Sequence, residues 1–363
     1  MKNNYQLSKF EAICIMIIIM MNKLILNIPY YIVNLTKSGS VINILYIGLI
    51  DFIGLLIIIK LMSKFDNTDI LDISEFLAGS KLKNVMGILS IILFFLVGFI
   101  TLLDFSNVLH TIYFDNFEII YIMLYFVVGI LVANLIGFKS IARTISFVVP
   151  FALISVFIVF ITIAPTMSFK DLTPILGENI YTTFGLGLSN AFSMYIIVYI
   201  FYLKPLLKEP KDFKSISIIS YVISLILLLI TVIPMLSIFN VTSSSEPINS
   251  LFLLVRQIEF GKFIQRVDSF FILLWIFSIL SYLSFIIFTI NRIFRKLLNI
   301  NNEKMLSFST SSILFGLTLI PINISKIHFI ENVVYRYFIL SFIFGIGILI
   351  LISANIKKLK NNN

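Results

Sequence analysis

The sequence has little of what soluble enzymes and metalloproteins use. Charged residues make up 12% of its 363 residues, whereas a soluble domain has about a quarter. Cys14 is the single cysteine, so no internal disulfide can form, and His110 and His328 are too far apart in sequence to suggest a metal site. The chain lacks a Walker loop, a GxSxG elbow and an HExxH motif. We therefore predict neither enzymatic activity nor a cofactor or metal.

Apolar residues make up most of the chain instead. Hydrophobic side chains account for 59% of the sequence, Phe occurs 37 times, and the mean hydropathy is +1.06. The net charge of +9 could suit nucleic acid, but the Lys and Arg residues occupy short loops between apolar runs. Such loops are typical of the cytoplasmic side of a membrane, where they face anionic lipid. We predict a polytopic membrane protein that contacts lipid and binds no nucleic acid.

Windows of about nineteen residues predict ten membrane spans in a single membrane domain, residues 1–363. The spans lie near 11–33, 41–62, 85–106, 118–138, 144–165, 181–203, 216–239, 269–290, 306–323 and 334–354. The first apolar run has no small-residue cleavage site, so we interpret it as a retained span and not as a signal peptide. Most of the 27 Lys and Arg residues then fall in inside loops, which predicts that both termini are cytoplasmic.

Ten spans divide into two halves of five, about 11–165 and 181–354, and an odd number of crossings inverts one half relative to the other. Asn27-Ile28-Pro29 interrupts the first span and Gly185-Leu186-Gly187 the sixth. Interrupted helices at corresponding positions of two halves point to a transporter-type binding site. We predict an all-α integral membrane protein, a 5+5 inverted repeat with broken helices 1 and 6. Alternatively, Pro29 ends the first helix early and the glycines are packing positions.

The first span carries a polar stripe. The stripe consists of Lys23, Asn27, Tyr30, Tyr31 and Asn34, with Asn22 adjacent. A lysine near mid-membrane is costly and faces the bundle interior with a partner. Asp51, near the centre of the second span, is the predicted partner as the one carboxylate at that depth. Three interpretations stay open: a structural Lys23 and Asp51 ion pair, an ammonium that holds a ligand carboxylate, and an ammonium at the place of a coupling cation.

Other polar residues near membrane depth are weaker candidates. Asp104, near the end of the third span, is either solvated or lines a vestibule, and Arg336 can snorkel or pair with Glu331. Tyr195, Tyr199 and Tyr202 form a stripe that serves packing or a ligand. The predicted ligand-binding residues are Asn22, Lys23, Asn27, Gly185, Gly187, Ser189, Asn190 and Ser278. The predicted coupling or ion-pair residues are Lys23, Asp51, Asp104, Arg266 and Asp268.

The stretch before the eighth span has the pattern of a surface helix. Over residues 248–267 apolar side chains recur at helical spacing, with Arg256 and Arg266 among the charges on the other side. This interfacial helix is predicted to lead through Asp268 into the uncharged span 269–290. Asp268 is either an N-cap or one partner of a gating ion pair with Arg266 or Arg256.

The run FGKFIQRVDSFFILLWIFS, preceded by a Ser-rich loop and Glu246-Pro247, resembles the B subunit of bacterial spore-germination nutrient receptors. These subunits belong to the amino acid/polyamine transporter superfamily. The resemblance extends from Leu7-Ser8 to Lys357, and its most specific part is the set of Arg266, Asp268 and Trp275. Where relatives often carry a Gly-rich unwound segment, this chain has Met21-Asn22-Lys23-Leu24, so recognition of a carboxylate by backbone amides does not carry over.

The resemblance implies a receptor subunit in the spore inner membrane. Such a subunit binds a small nutrient between the broken first and sixth spans and triggers germination with partners. The implied partners are a membrane-bound A subunit and a lipoprotein C subunit. The same fold also serves proton- or cation-coupled amino-acid transporters, and Lys23, Asp51 and Asp104 could supply the coupling group. We therefore expect a germinant-receptor subunit, with a proton- or cation-coupled amino-acid transporter as the alternative.

Overall fold

The computed structural model describes residues 5–238, 255, 267–300, 302–322 and 324–362, with the backbone alone at 169, 171, 267–270, 324, 325 and 362. The predicted interfacial helix over 248–267 lies outside the described residues, apart from Val255 and Val267. Arg256 and Arg266 lie outside them as well. Asp268 is described only as a backbone position in the first turn of a helix.

The described part of the chain is helical and contains no β-strand. Its α-helices are α1 Lys9–Ile25, α2 Ile28–Thr36, α3 Ser40–Ser63, α4 Ile70–Ile112, α5 Ile119–Ile136, α6 Phe138–Ile163, α7 Ile196–Leu203, α8 Phe213–Ile238, α9 Val267–Leu298, α10 Glu303–Thr318, α11 Ile324–Phe329, α12 Arg336–Leu340 and α13 Ile348–Asn362. Short 3-10 helices are Lys37–Gly39, Ala164–Thr166, Phe169–Leu172, Leu186–Met194, Lys204–Leu206 and Pro210–Asp212. π-helical turns at Tyr181–Gly185, Ile330–Tyr335 and Ser341–Gly347 complete the set. Residues 324–362 form one continuous run, here called the C-terminal helix.

Several of these helices can cross a membrane. Seven stretches of the described chain are long and apolar enough, or eight if the bent pair Tyr181–Met194 and Ile196–Leu206 forms one crossing. The protein is therefore a multi-pass membrane protein. α1 has 17 residues and α10 has 16, both below the roughly 20 that a full crossing needs. Length and composition thus give seven or eight crossings where the sequence predicted ten.

Burial separates central helices from peripheral ones. In the most apolar stretch of α4, 72% of the residues are buried, and in that of α5 only 22%. Exposed side chains such as Tyr125 on α5 and Phe147 on α6 offer apolar surface to lipid. α4 and α9 therefore lie at the centre of the bundle, and α5 and α6 lie toward its edge.

The first predicted span is interrupted, as its sequence indicated. α1 ends at Ile25, Leu26 leaves helical geometry with ψ −104, and α2 resumes at Ile28. Pro29 lies in the first turn of α2, where its missing N–H leaves no hydrogen bond unmade. Pro29 therefore permits the restart, and the alternative that it ends the helix is wrong.

The sixth predicted span is also interrupted. The π-helical turn Tyr181–Gly185 gives way to the 3-10 helix Leu186–Met194 at the predicted glycines, and a bend of 42° follows before α7. A Cβ atom on Gly187 would lie 2.4 Å from Asn43 Nδ2, so any side chain there displaces Asn43. Close approach to α3 therefore requires glycine at position 187.

α4 begins earlier than its sequence suggested. The Asp69 carboxylate accepts the backbone N–H groups of Leu71 and Asp72, and the Asp72 carboxylate accepts that of Asp69. This reciprocal cap starts a helix at Ile70, although hydropathy placed the third span from residue 85. Gly79, at φ 74, then bends the chain, a backbone conformation that favours glycine.

One end of the bundle, here called the basic end, joins several chain segments. Leu7 forms an isolated β-bridge with Leu207, and the Lys204 ammonium donates to the carbonyl oxygens of Met62 and Phe65. At this end Lys358 also donates to the carbonyl oxygen of Lys64. These contacts place the start of α1 and the ends of α3, α7 and the C-terminal helix side by side.

Candidate binding site between the broken helices

Charged side chains meet in the core beside the break of the first helix. The Lys23 ammonium lies 2.9 Å from the Glu331 carboxylate, and both side chains are fully buried. The Asn27 amide donates to Asp104 Oδ2 at 2.8 Å and to Glu331 Oε2 at 2.9 Å. Four elements, α1, α2, α4 and the C-terminal helix, thus converge at this point. The buried charge cluster is defined as Lys23, Asn27, Tyr31, Asp104, His328 and Glu331.

Tyr31 and His328 complete the cluster. The Tyr31 hydroxyl lies 2.9 Å from Glu331 Oε2 and 3.0 Å from His328 Nδ1. A hydroxyl has one proton, and donation to a carboxylate is the stronger use of it, so His328 Nδ1 must donate to Tyr31. The Tyr335 ring lies 5.4 Å from the Lys23 ammonium and adds a cation–π contact.

The cluster is not balanced in charge when both carboxyl groups are ionised. It contains one ammonium, Lys23, and two carboxyl groups, Asp104 and Glu331. An uncompensated charge in apolar surroundings is costly. One further positive charge would therefore stabilise the cluster. It can be a proton on a carboxyl group or on His328, a metal cation, or the ammonium of a ligand.

Three of the predicted site residues belong to this cluster: Lys23, Asn27 and Asp104. The interpretation of Asp104 as a solvated loop residue is wrong. α4 continues to Ile112, so Asp104 lies two turns before the helix end, and 8% of it is exposed. It accepts the Asn27 amide inside the bundle.

The predicted ion pair between Lys23 and Asp51 does not form. Lys23 pairs with Glu331, and neither Asp51 oxygen has a hydrogen-bond partner among the described residues. Glu331 was missed because hydropathy began the last span at residue 334, whereas the C-terminal helix already includes it. The view of Asp51 as the one carboxylate at that depth is therefore also wrong.

Arg336 does not pair with Glu331 either. Its guanidinium donates to Ser189 Oγ at 3.0 Å and lies 4.7 Å from the centre of the Phe192 ring. Both residues belong to the 3-10 helix of the second broken segment. Arg336 is 6% exposed and thus joins the C-terminal helix to that segment.

Asn43 of α3 supports the second broken segment. Its amide donates to the carbonyl oxygens of Thr183 at 2.7 Å and Gly187 at 3.1 Å, while its own oxygen accepts from Asn190 at 2.9 Å. Broken helices leave carbonyl groups unpaired, and buried ones need such partners. Gly187 and Asn190 are therefore parts of one buried network. Asn43 was not among the predicted site residues, although an amide in an apolar span is itself a signal.

The remaining predicted residues lie in two other places. Ser278 Oγ donates to Asn22 Oδ1 at 3.0 Å, which joins α9 to α1 next to Lys23. Gly185 is exposed, and a Cβ atom there would meet the Tyr181 ring at 2.8 Å. Gly185 thus lies outside the buried charge cluster. The predicted roles of Arg266 and Asp268 fall outside the described side chains.

Buried tyrosines lead from the cluster toward the basic end. Ring centres lie 6.4 Å apart for Tyr335 and Tyr195, and 6.2 Å for Tyr195 and Tyr199. The Tyr195 hydroxyl donates to the Ile19 carbonyl oxygen, and the Tyr199 hydroxyl lies 3.3 Å from that of Tyr282. These side chains pack tightly in the core, which matches the packing interpretation of the tyrosine stripe.

A cavity of about 870 Å³ opens at the basic end. Its lining includes the aromatic residues Tyr5, Phe138 and Phe288, the amides Asn134, Asn291 and Asn299, and the cations Lys83, Arg292, Arg295 and Lys296. The volume is within the range of small-molecule sites. Burial and the acceptor Glu11 raise the pKa of the Tyr5 phenol, so that hydroxyl stays a donor.

The cations of this cavity are already paired. Arg292 and Lys296 lie 3.3 and 2.6 Å from Asp69 Oδ2, and Lys296 also contacts Asp72 at 2.7 Å. Arg295 pairs with Glu303. The pairing leaves little net charge to attract an anion, so the lining favours packing of the helix ends over capture of a charged solute.

Comparison with known proteins identifies a family. A family model described as a spore germination protein matches residues 6–327 of the chain. The match includes both broken segments and all but Glu331 and His328 of the buried charge cluster. A search of curated proteins found no match.

Proposed function

The chain belongs to the spore germination protein family, and from that premise we propose that it is the transporter-like membrane subunit of a germinant receptor. The family comprises permease- or receptor-type membrane proteins and is not a class of enzymes. In our proposal the subunit binds a small nutrient, an amino acid, at the buried charge cluster. Binding triggers spore germination through partner subunits.

The observation that carries this proposal is the charge arrangement at the helix break. An amino acid brings one ammonium and one carboxylate. Its ammonium would bind Asp104 and Glu331, and its carboxylate would bind the Lys23 ammonium. Because an amino acid is neutral overall, a proton on a carboxyl group or on His328 would still compensate the one negative charge in excess. The ion pair of Lys23 and Glu331 then stands where the two opposite charges of the ligand would bind. Ligand entry would exchange one set of charge partners for another.

We further propose ten crossings in a 5+5 inverted repeat. Support comes from the first broken segment, α1 with α2, which packs against the second through Tyr195 and the Ile19 carbonyl oxygen. Tyr31 and Phe192 also bring their rings to 6.5 Å. Interrupted helices that meet in the core are typical of transporter folds. Counting α10 and the two broken segments as crossings raises the total to ten.

The proposed location is the spore inner membrane, with both termini cytoplasmic. The basic end would then face the cytoplasm, in agreement with the positive-inside rule. The proposed partners are a membrane-bound A subunit and a lipoprotein C subunit. Contact with them would carry the signal, because no motif in the chain supplies chemistry for it.

The second candidate is a proton- or cation-coupled amino-acid transporter. The charge imbalance of the cluster favours it, because a carboxyl group that exchanges a proton for a ligand ammonium can couple the two. The cavity at the basic end would be its cytoplasmic vestibule.

Binding and uptake of labelled amino acids by the purified protein in liposomes separate the two candidates. Saturable binding without accumulation, with or without a proton gradient, would support the receptor. Accumulation driven by the gradient would make the protein a transporter. Glu331→Gln should abolish binding, and Glu178→Gln at an exposed position should not. Unchanged binding in Glu331→Gln would remove the buried charge cluster as the site.

The broken segment gives a further prediction. Gly187→Ala should weaken ligand binding at least several-fold, because the new methyl group would displace the Asn43 amide that holds the Thr183 and Gly187 carbonyl groups. Gly316→Ala is the matched control, since a Cβ atom there meets nothing within 4 Å. Both variants should reach the membrane in normal amounts. Equal binding by the two variants would contradict a role of this segment in the site.

A further inference from the structure

Asp51 is a buried acid that the proposed binding site does not use. It lies near the middle of α3, at the depth of the membrane core, and is fully buried. Neither of its carboxyl oxygens has a hydrogen-bond partner within the described residues. The surrounding side chains therefore enclose the Asp51 carboxyl group without forming a hydrogen bond or an ion pair with it.

The packing around Asp51 is tight and apolar. Gly48 and Gly54 lie one turn before and after it on the same face of α3. A Cβ atom on Gly48 would meet Leu225 at 2.8 Å, and one on Gly54 would meet Phe344 at 2.7 Å. α8 and the C-terminal helix thus press against α3 on either side of Asp51.

The polar groups near Asp51 are neutral. Tyr221 of α8 is the titratable side chain that interacts with it, and its hydroxyl donates to the Gly48 carbonyl oxygen at 2.7 Å. α3 itself, the C-terminal helix and the second broken segment contribute no ionised group to Asp51 in the described region. An ionised carboxylate here would be fully buried without a described partner, which is costly.

We infer that Asp51 is a proton-binding site whose carboxyl group carries its proton while α3 and α8 are packed together. Release breaks the carboxyl O–H bond, passes the proton to water and leaves the carboxylate. Water can reach the group only when α3 separates from α8 or from the C-terminal helix. A proton fits better than a metal ion, because Ca²⁺ and Mg²⁺ require about six oxygen ligands and the Asp51 carboxyl group has no polar partner among the described residues.

If Asp51 is protonated only while α3 is packed on α8, the packing equilibrium depends on pH. The packed arrangement binds one proton more than the separated one, so acid favours packing of α3 on α8 and alkali favours separation. The site is distinct from the buried charge cluster, since Lys23 pairs with Glu331 and not with Asp51. It goes beyond the proposed function and holds for a receptor as for a transporter. Any rearrangement that separates α3 from α8 would therefore be accompanied by release of the Asp51 proton.

Infrared spectroscopy of the purified protein in liposomes tests the assignment without any nutrient. At neutral pH we expect the carbonyl stretch of a protonated carboxylic acid, with the intensity of one group lost in Asp51→Asn. Asp66→Asn, at an exposed position, is the matched control and should leave the band unchanged. A folded Asp51→Asn protein with an undiminished band would overturn the inference, and so would a wild-type protein with no such band.

Two further measurements cover the other outcomes. If Asp51→Asn does not fold, the Asp104→Asn/Glu331→Gln protein should still show the band, because Asp51 is intact there; its absence would overturn the inference. Sodium added at constant ionic strength should leave the wild-type band unchanged. A band that sodium removes would show that the carboxylate takes a metal cation and not a proton. Disproof of the Asp51 assignment would not disprove the proposed function, because the nutrient-binding test does not involve Asp51.

Discussion

The chain contains one ion-pair network in the core of the bundle and another at its basic end, and the two differ in charge balance. In the core, one ammonium faces two carboxyl groups, all of them buried. At the basic end, Arg292 and Lys296 face the carboxylates of Asp69 and Asp72, and the two cations are 19% and 25% exposed. The outer network is balanced in charge and partly exposed, whereas the inner one is buried and has one more carboxyl group than it has cations.

The difference indicates what each network does. A balanced, partly hydrated network holds helix ends together, and its partners gain little by moving. An incomplete one in apolar surroundings has a strong demand for one more positive charge. The inner network is therefore suited to a change of partner on ligand binding, and the outer one to fixing α4 against α9.

The largest expected effect comes from breaking the inner network. Lys23→Met leaves two buried carboxyl groups without their cation, and removing one partner of a buried pair costs about 3–5 kcal/mol. We expect a large fall in the melting temperature of the purified protein. The double variant Lys23→Met/Glu331→Met should recover part of that loss, because a neutral pair leaves one buried charge fewer.

A complete double-mutant cycle supplies the control. Lys23→Met, Glu331→Met and the double variant should show a strong favourable coupling in thermal unfolding. Simple additivity of the two single losses would mean that the 2.9 Å contact between Lys23 and Glu331 contributes nothing to the folded state.

Much of this arrangement follows from sequence. The all-helical, multi-pass architecture was predicted, because long apolar runs indicate where a chain can cross lipid, although the described helices give seven or eight candidate crossings and not ten. The break at Asn27-Ile28-Pro29 was predicted because proline lacks a donor. Lys23, Asn27 and Asp104 were predicted as site residues because polar groups in apolar spans need a reason to be there.

What the sequence could not supply is which polar groups meet. Glu331 was assigned to a loop, since its neighbours Lys326 and His328 lower the local hydropathy below that of a span. Lys23 was therefore paired with the carboxylate that hydropathy placed at its depth, Asp51. Depth along the membrane normal follows from sequence, but the rotation of each helix about its axis depends on packing between helices. Partner choice depends on that rotation.

A smaller effect is expected at the basic end. Asp69→Asn keeps a good N-cap for α4 but removes the carboxylate shared by Arg292 and Lys296. We expect a loss of about 1 kcal/mol, since the cations are partly solvated. Raising the salt concentration should reduce the difference between wild type and variant, whereas the coupling of Lys23 with Glu331 should not respond. A loss as large as that in Lys23→Met, insensitive to salt, would remove the distinction between the networks.

The smallest expected effect is a coupling near zero between Lys23 and Asp51. If Asp51 carries a proton on the α8-facing side of α3, Lys23→Met and Asp51→Asn should change the melting temperature additively, because neither side chain is the partner of the other. Structure and hydropathy give opposite expectations here, since a direct pair would make the double variant more stable than the sum of the single losses. Strong coupling would place a charge on Asp51 within reach of Lys23. Asp51 would then be ionised and not protonated, and the inner network would hold one ammonium against three carboxyl groups, so its demand for a further positive charge would be greater still.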